Sequence, residues 1–196
     1  MRQMERRASR SLSTLIVAVA LTLIALPMSA LGHCDSMDGP VVKAAQNALA
    51  ARNANLILIW VQKANETELN DAFKQTLRVR RLGREARALA DKYFFETVVR
   101  LHRAGEGEPY TGLKPAGTNI VPIIRVLDRA IDSGSAAQLM TEVPAAKKAE
   151  IEERFKQVIG LKKYDINDVE AGRRYVKSYV TFIHHVEELY EDSHST

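Results

Sequence analysis

Along most of this chain, apolar residues return at helical rather than alternating spacing, and the pattern predicts a run of helices. Residues 40–52 are rich in Ala, Val and Leu, with Pro40 suited to a first helical turn. Asn65 and Glu68 form the pattern of a capping box, opening a helix that extends to about Arg81. In 84–103, Leu89, Tyr93, Val98 and Leu101 fall near helical spacing. Further helices are predicted at about 121–132, 135–142 and 147–161, and the last from Asn167, with Glu170 at N3, to about Glu191. Leu56 to Val61 has strand propensity, but one short apolar run in a helical chain reads as buried helix or extended connector. Gly105 to Thr118 holds four glycines and two prolines and is the one long irregular stretch, a linker loop over about 105–119. The expected fold class is all-α, a helical bundle.

Sliding the chain by 82 residues aligns 40–103 with 122–185 without a gap, giving 12 identities in 64 pairs. Pro40/Pro122, Glu68/Glu150, Phe73/Phe155, Tyr93/Tyr175 and His102/His184 are among them. The match predicts two tandem, pseudo-symmetric helical repeats, neither able to cover its apolar face alone. In such a bundle His102 and His184 are expected to face each other near the axis.

The N-terminus changes the picture of composition. Arg2, Arg6, Arg7 and Arg10 precede an uncharged apolar run from Thr14 to Met28, and Ala30 and Gly32 stand at the −3 and −1 positions of a cleavage site. That run of 15 residues is shorter than the ~20 needed to span a bilayer. A cleaved signal peptide over 1–32 is therefore expected, with export to the periplasm or beyond and one domain over 33–196. Removal of the signal leaves 24 basic and 23 acidic residues, so no basic patch argues for nucleic acid. The single cysteine excludes an internal disulfide framework. Cys34 is left as a metal ligand, a lipid site, an intermolecular partner that would make a homo-oligomer, or a reactive thiol.

Candidate chemistry concentrates at the cut. After cleavage His33 offers an α-amine, an imidazole and the following amide, and Cys34 adds a thiolate; these donors suit Ni, Cu or Zn. Asp35 and Asp38 add carboxylates, and His102 and His184 are inner candidates. His102 follows Val98 by four and Phe95 by seven, which puts it on the apolar stripe of its helix. A core histidine with one hydrogen bond is the bland alternative. A thiol dyad of Cys34 with a histidine faces the objection that a nucleophile at a chain terminus is poorly held. A non-catalytic cell-envelope interaction module is the competing function, with the loop bearing Tyr110 and Lys114 as its contact surface. Di-iron, c-type haem, dinucleotide and hydrolase-elbow patterns are absent.

His33-Cys34-Asp35 resembles the opening of mature nickel superoxide dismutases, which implies a metal hook on a helical bundle; the position of that family's second cysteine is Asp38 here. The segments 33–40, 93–110, 111–117 and 167–172 resemble an exported bacterial family of unknown function, which implies a helical exported protein and no particular activity.

Overall fold

The computed structural model describes residues 33–118 and 121–194; the expected signal, 1–32, lies outside them. Among the described residues the chain forms helices and no strand. They are α1 (Pro40–Ala51), α2 (Asn55–Leu58), α3 (Glu66–Val79), α4 (Arg84–Glu106), α5 (Pro122–Ser133), α6 (Leu139–Glu142), α7 (Lys148–Leu161) and α8 (Val169–His194). Single 3-10 turns, Lys63–Asn65 and Ala145–Lys147, lead into α3 and α7. No described helix is long and apolar enough to cross a membrane.

Helix starts follow local chemistry only in part. Pro40 and Pro122 open α1 and α5, where a missing N–H costs nothing. Asn65 makes no side-chain cap; it closes the 3-10 turn, in which the Glu66 N–H donates to the Lys63 carbonyl. At the last helix Asp168, rather than Asn167, supplies the cap, accepting from the Ala171 N–H at 2.8 Å. Helix α4 runs three residues past the expected end, to Glu106, and stops on Gly107 at φ 79°.

Packing is pairwise. Helix α4 lies against α1 and α3, and α8 against α5 and α7. One apolar core joins the two sets, through Val41, Leu69, Phe94 and Val98 on one side and Ile123, Leu127, Ile151 and Phe182 on the other. Each large aliphatic or aromatic side chain buried this way contributes roughly 1.5–3 kcal/mol. The expected apolar stripe of α4 is corrected at its start. Leu89 is 71% and Tyr93 49% exposed, while Ala90, Phe94 and Phe95 turn inward. The N-terminal half of α4 is covered on one side only, so residues off that side meet solvent.

Where the halves touch, α8 comes close to the segment after α2. A Cβ on Gly172 would lie 2.3 Å from Cγ2 of Ile59, so only glycine permits the approach. Next to it, Arg173 donates to the carbonyls of Val61 (2.9 Å) and Leu58 (3.3 Å) and pairs with Glu66. Leu56 to Val61 is thus helix and tight turns, not strand, and its free carbonyls are satisfied from across the molecule.

Candidate functional site

Residues 33–39 fold back as a short hook ahead of α1. Gly39 N–H donates to the Ser36 carbonyl at 2.9 Å. A Cβ at Gly39 would stand 2.1 Å from the His33 carbonyl oxygen, so the hook closes only over glycine. The loop after α4 straps it down. Lys114 N–H donates to the Asp35 carbonyl (2.8 Å), Met37 N–H to the Lys114 carbonyl (3.0 Å), and Gly117 N–H to the Asp38 carboxylate (3.0 Å). These bonds hold the segment that carries Cys34 in place. Tyr110 and Lys114 are half-buried, and Tyr110 and Leu113 pack on the core.

The hook buries His33, Cys34 and Asp35. Cys34, a free thiol, contacts both His33 and His102. Nε2 of His33 lies 2.7 Å from Oδ2 of Asp128, whose Oδ1 accepts from the Tyr179 hydroxyl at 2.7 Å. Nδ1 of His102 lies 2.9 Å from the Trp60 carbonyl. On each ring one nitrogen is thus engaged. The other, Nδ1 of His33 or Nε2 of His102, is buried without an aligned hydrogen bond. Oε1 of Glu106 stands 3.3 Å from that His102 nitrogen and is likewise buried and unaligned.

Electrostatics couple the cluster. Burial opposes charge on His33, but Asp128 and Cys34 outweigh it and push its pKa up to about 9. His102 is pushed up to about 10, burial being overcome by Cys34 and Glu106. Burial would raise Cys34, yet the two histidines bring the thiol below its ordinary value. The arrangement holds the Cys34 sulfur between two imidazoles whose far nitrogens are fixed by a carboxylate and a backbone carbonyl. Sulfur and imidazole are the donor types that soft and borderline cations take. The order Asp128, His33, Cys34 is also that of an activated nucleophile, here with the sulfur enclosed.

The other sequence candidates go elsewhere. The Asp35 carboxylate is buried 3.5 Å from the Arg103 guanidinium, and burial raises its pKa against that cation. Asp38 anchors the strap, and the Gly117 N–H lowers its pKa. His184 is half-buried, acting electrostatically on Glu106. The buried positions 94, 97, 98, 101 and 102 of α4 recur in α8 at 179, 182, 183, 186 and 187, an offset of 85. The connection before α8 is three residues longer than the one before α4, and this shifts the register. Glu187, not His184, therefore occupies the buried level of His102, close enough to His33 for their charges to interact. Among the described residues no group of three or more His, Cys, Asp and Glu side chains is already spaced around an ion. Asp128, Trp60, Tyr179 and Glu106 carried no local signal; only their helical positions relative to the hook, which the sequence does not fix, mark them.

Residues 38–185 match a family described as a family of unknown function (DUF6448). The chain belongs to that family. No curated protein and no solved structure matches it. The family match begins four residues after Cys34, so His33, Cys34 and Asp35 fall outside the matched segment while His102, Asp128 and Tyr179 fall inside it.

Proposed function

We propose that this is an exported protein that binds one transition metal ion through His33, Cys34 and His102. The observation that carries the reading is the pair of buried histidines. Each has one ring nitrogen held by a fixed acceptor and the other beside Cys34 without an aligned hydrogen bond, that of His102 also facing Glu106 at 3.3 Å. Ligating histidines are oriented in this way by carboxylates and backbone carbonyls. A buried thiol with two imidazoles is also costly unless something is gained by keeping the donors together. Binding would draw the donors from contact to bonds of about 2.0–2.3 Å. Removal of residues 1–32 would free the His33 α-amine as a further donor, and Glu106 is the nearest additional carboxylate. Ni, Cu and Zn suit the set; the enclosed sulfur supports a ligand over a lipid site or an intermolecular disulfide.

A tandem duplication belongs to the same reading. In its support, α1 and α5, the two 3-10 turns, and α3 and α7 recur at an offset of 82 in both first and last residue. The metal would then occupy an asymmetric place, since the hook precedes only the first copy.

The test is native mass spectrometry of the exported protein. The expected species begins at His33 and carries one metal ion, lost in Cys34→Ser and weakened about 10–100-fold in Asp128→Asn. Protein that begins at His33, carries no metal and takes up none at micromolar Ni, Cu or Zn refutes the proposal.

A further inference from the structure

A cavity of about 410 Å³ lies where the last turns of α4, the segment after α2 and one face of α8 meet. Ile59, Trp60, Val61, Val176 and Val180 give it apolar walls. The Gln62 amide bridges two of these walls by donating to the Gly105 carbonyl at 2.9 Å. Small-molecule sites have this character: about 300–1,000 Å³, mostly apolar, with a few placed polar groups. Here the polar groups fall into two sets. His102, 3% exposed, and Glu106 form the buried wall, and Nε2 of one and Oε1 of the other have no aligned hydrogen bond. Lys177 and Thr181 stand exposed at the rim. Arg173 also lines the cavity, but it is committed to the Val61 and Leu58 carbonyls, Glu66 and Glu170. Lys177, one helical turn on, is free: the described lysine ion pairs are those of Lys92, Lys147, Lys156 and Lys162.

We propose that this cavity binds a small carboxylic acid that has an apolar body and carries a hydroxyl at its far end. The carboxylate pairs with Lys177 at the rim, a cavity cation that has no carboxylate of its own. The carbons of the body displace water from Trp60, Val176 and Val180, which is the main source of binding energy. The hydroxyl donates to Oε1 of Glu106, because an apolar end would strip water from that carboxylate and return nothing. Glu106 does not call for an ammonium there. Arg103 at 2.7 Å and His102 at 3.3 Å already offset its charge. None of these contacts needs a metal, so the proposal stands apart from the metal reading above.

Full-length mature protein, stripped of metal on a chelating resin, is titrated with para-hydroxyphenylpropanoate. Trp60 is the only tryptophan, so its fluorescence reports filling of the cavity, and calorimetry gives the affinity. One molecule per chain is the expected stoichiometry. Phenylpropanoate, which lacks the hydroxyl, should bind several-fold more weakly, and tyramine, with an ammonium in place of the carboxylate, about tenfold more weakly or worse. Lys177→Gln should weaken the acid about tenfold without weakening tyramine. Thr181→Phe, which narrows the rim, should weaken every ligand several-fold. Both replaced residues are exposed, so helical circular dichroism should be unchanged in the two variants. Three results would each overturn the proposal: no saturable binding of the acid, tyramine bound as tightly as the acid, or wild-type affinity for the acid in both variants.

Discussion

Residues 40–106 and 122–194 lay down the same succession of helices, yet only the first carries a closed cluster. The likeness reaches single bonds. Helix α1 ends on Arg52 and α5 on Gly134, both left-handed, and the next N–H returns to the carbonyl of Ala48 or Ala130. Arg80 Nη1 donates to the Leu49 carbonyl at 3.2 Å, and Lys162 Nζ to the Ile131 carbonyl at 2.7 Å. Each of these positions is related to its counterpart by 82. The difference lies before the first helix and within the last. Gly39 admits the hook carbonyl where the second half has Val121, and α8 is turned by its longer connection so that Glu187 replaces a histidine inside. A common scaffold therefore does not by itself build the cluster; the hook and the strap do.

The sharpest way to break the comparison is Gly39→Ala. Its backbone angles suit any residue (φ −76°, ψ 167°), so the harm comes only from the clash with the His33 carbonyl. The hook should leave its seat, with metal affinity lost beyond detection and fast proteolysis at 33–39. The helical circular dichroism should be retained. Val121→Ala, at the corresponding place, should change neither affinity nor proteolysis. A Gly39→Ala protein with normal metal binding would remove the hook from the account.

His102→Ala against His184→Ala tests the inner candidates. Loss of a buried donor should lower metal affinity by more than the about 10–100-fold typical of a supporting residue, whereas His184→Ala should stay within about threefold. Titration calorimetry on both variants reads the contrast directly. Equal losses would restore the symmetric pair of histidines.

The smallest effect sharpens the likeness instead. Arg80→Ala and Lys162→Ala each remove one bond to a helix-terminal carbonyl, worth about 1 kcal/mol. Each should lower Tm by about 2–4 °C in a domain of this size, by thermal denaturation. Arg80 also pairs with half-buried Asp91 at 2.7 Å, whereas Lys162 has only a 3.8 Å pair with exposed Asp132, so the loss of Arg80 should be the larger.

Much of this was legible locally. Periodicity located the long helices, and the two prolines fixed the starts of α1 and α5. Where apolar spacing is read without knowing which sides are covered, it fails, as at Leu89 and Tyr93. The site was half legible: His33, Cys34 and His102 announce themselves by residue type. Asp128 looks like one more surface acid on an amphipathic helix, and Trp60 like ordinary core.

By itself the sequence determined the helical class and the placing of the single cysteine beside His33, because propensity, spacing and composition are properties of neighbours. Only the tertiary structure decided that Asp128, 95 residues from His33, orients its ring, and that Asp35 and Asp38 serve Arg103 and the strap instead of the thiol. Such pairings depend on how helices rotate against one another. With a connection three residues longer before α8 than before α4, Glu187 is buried where His102 is buried on α4.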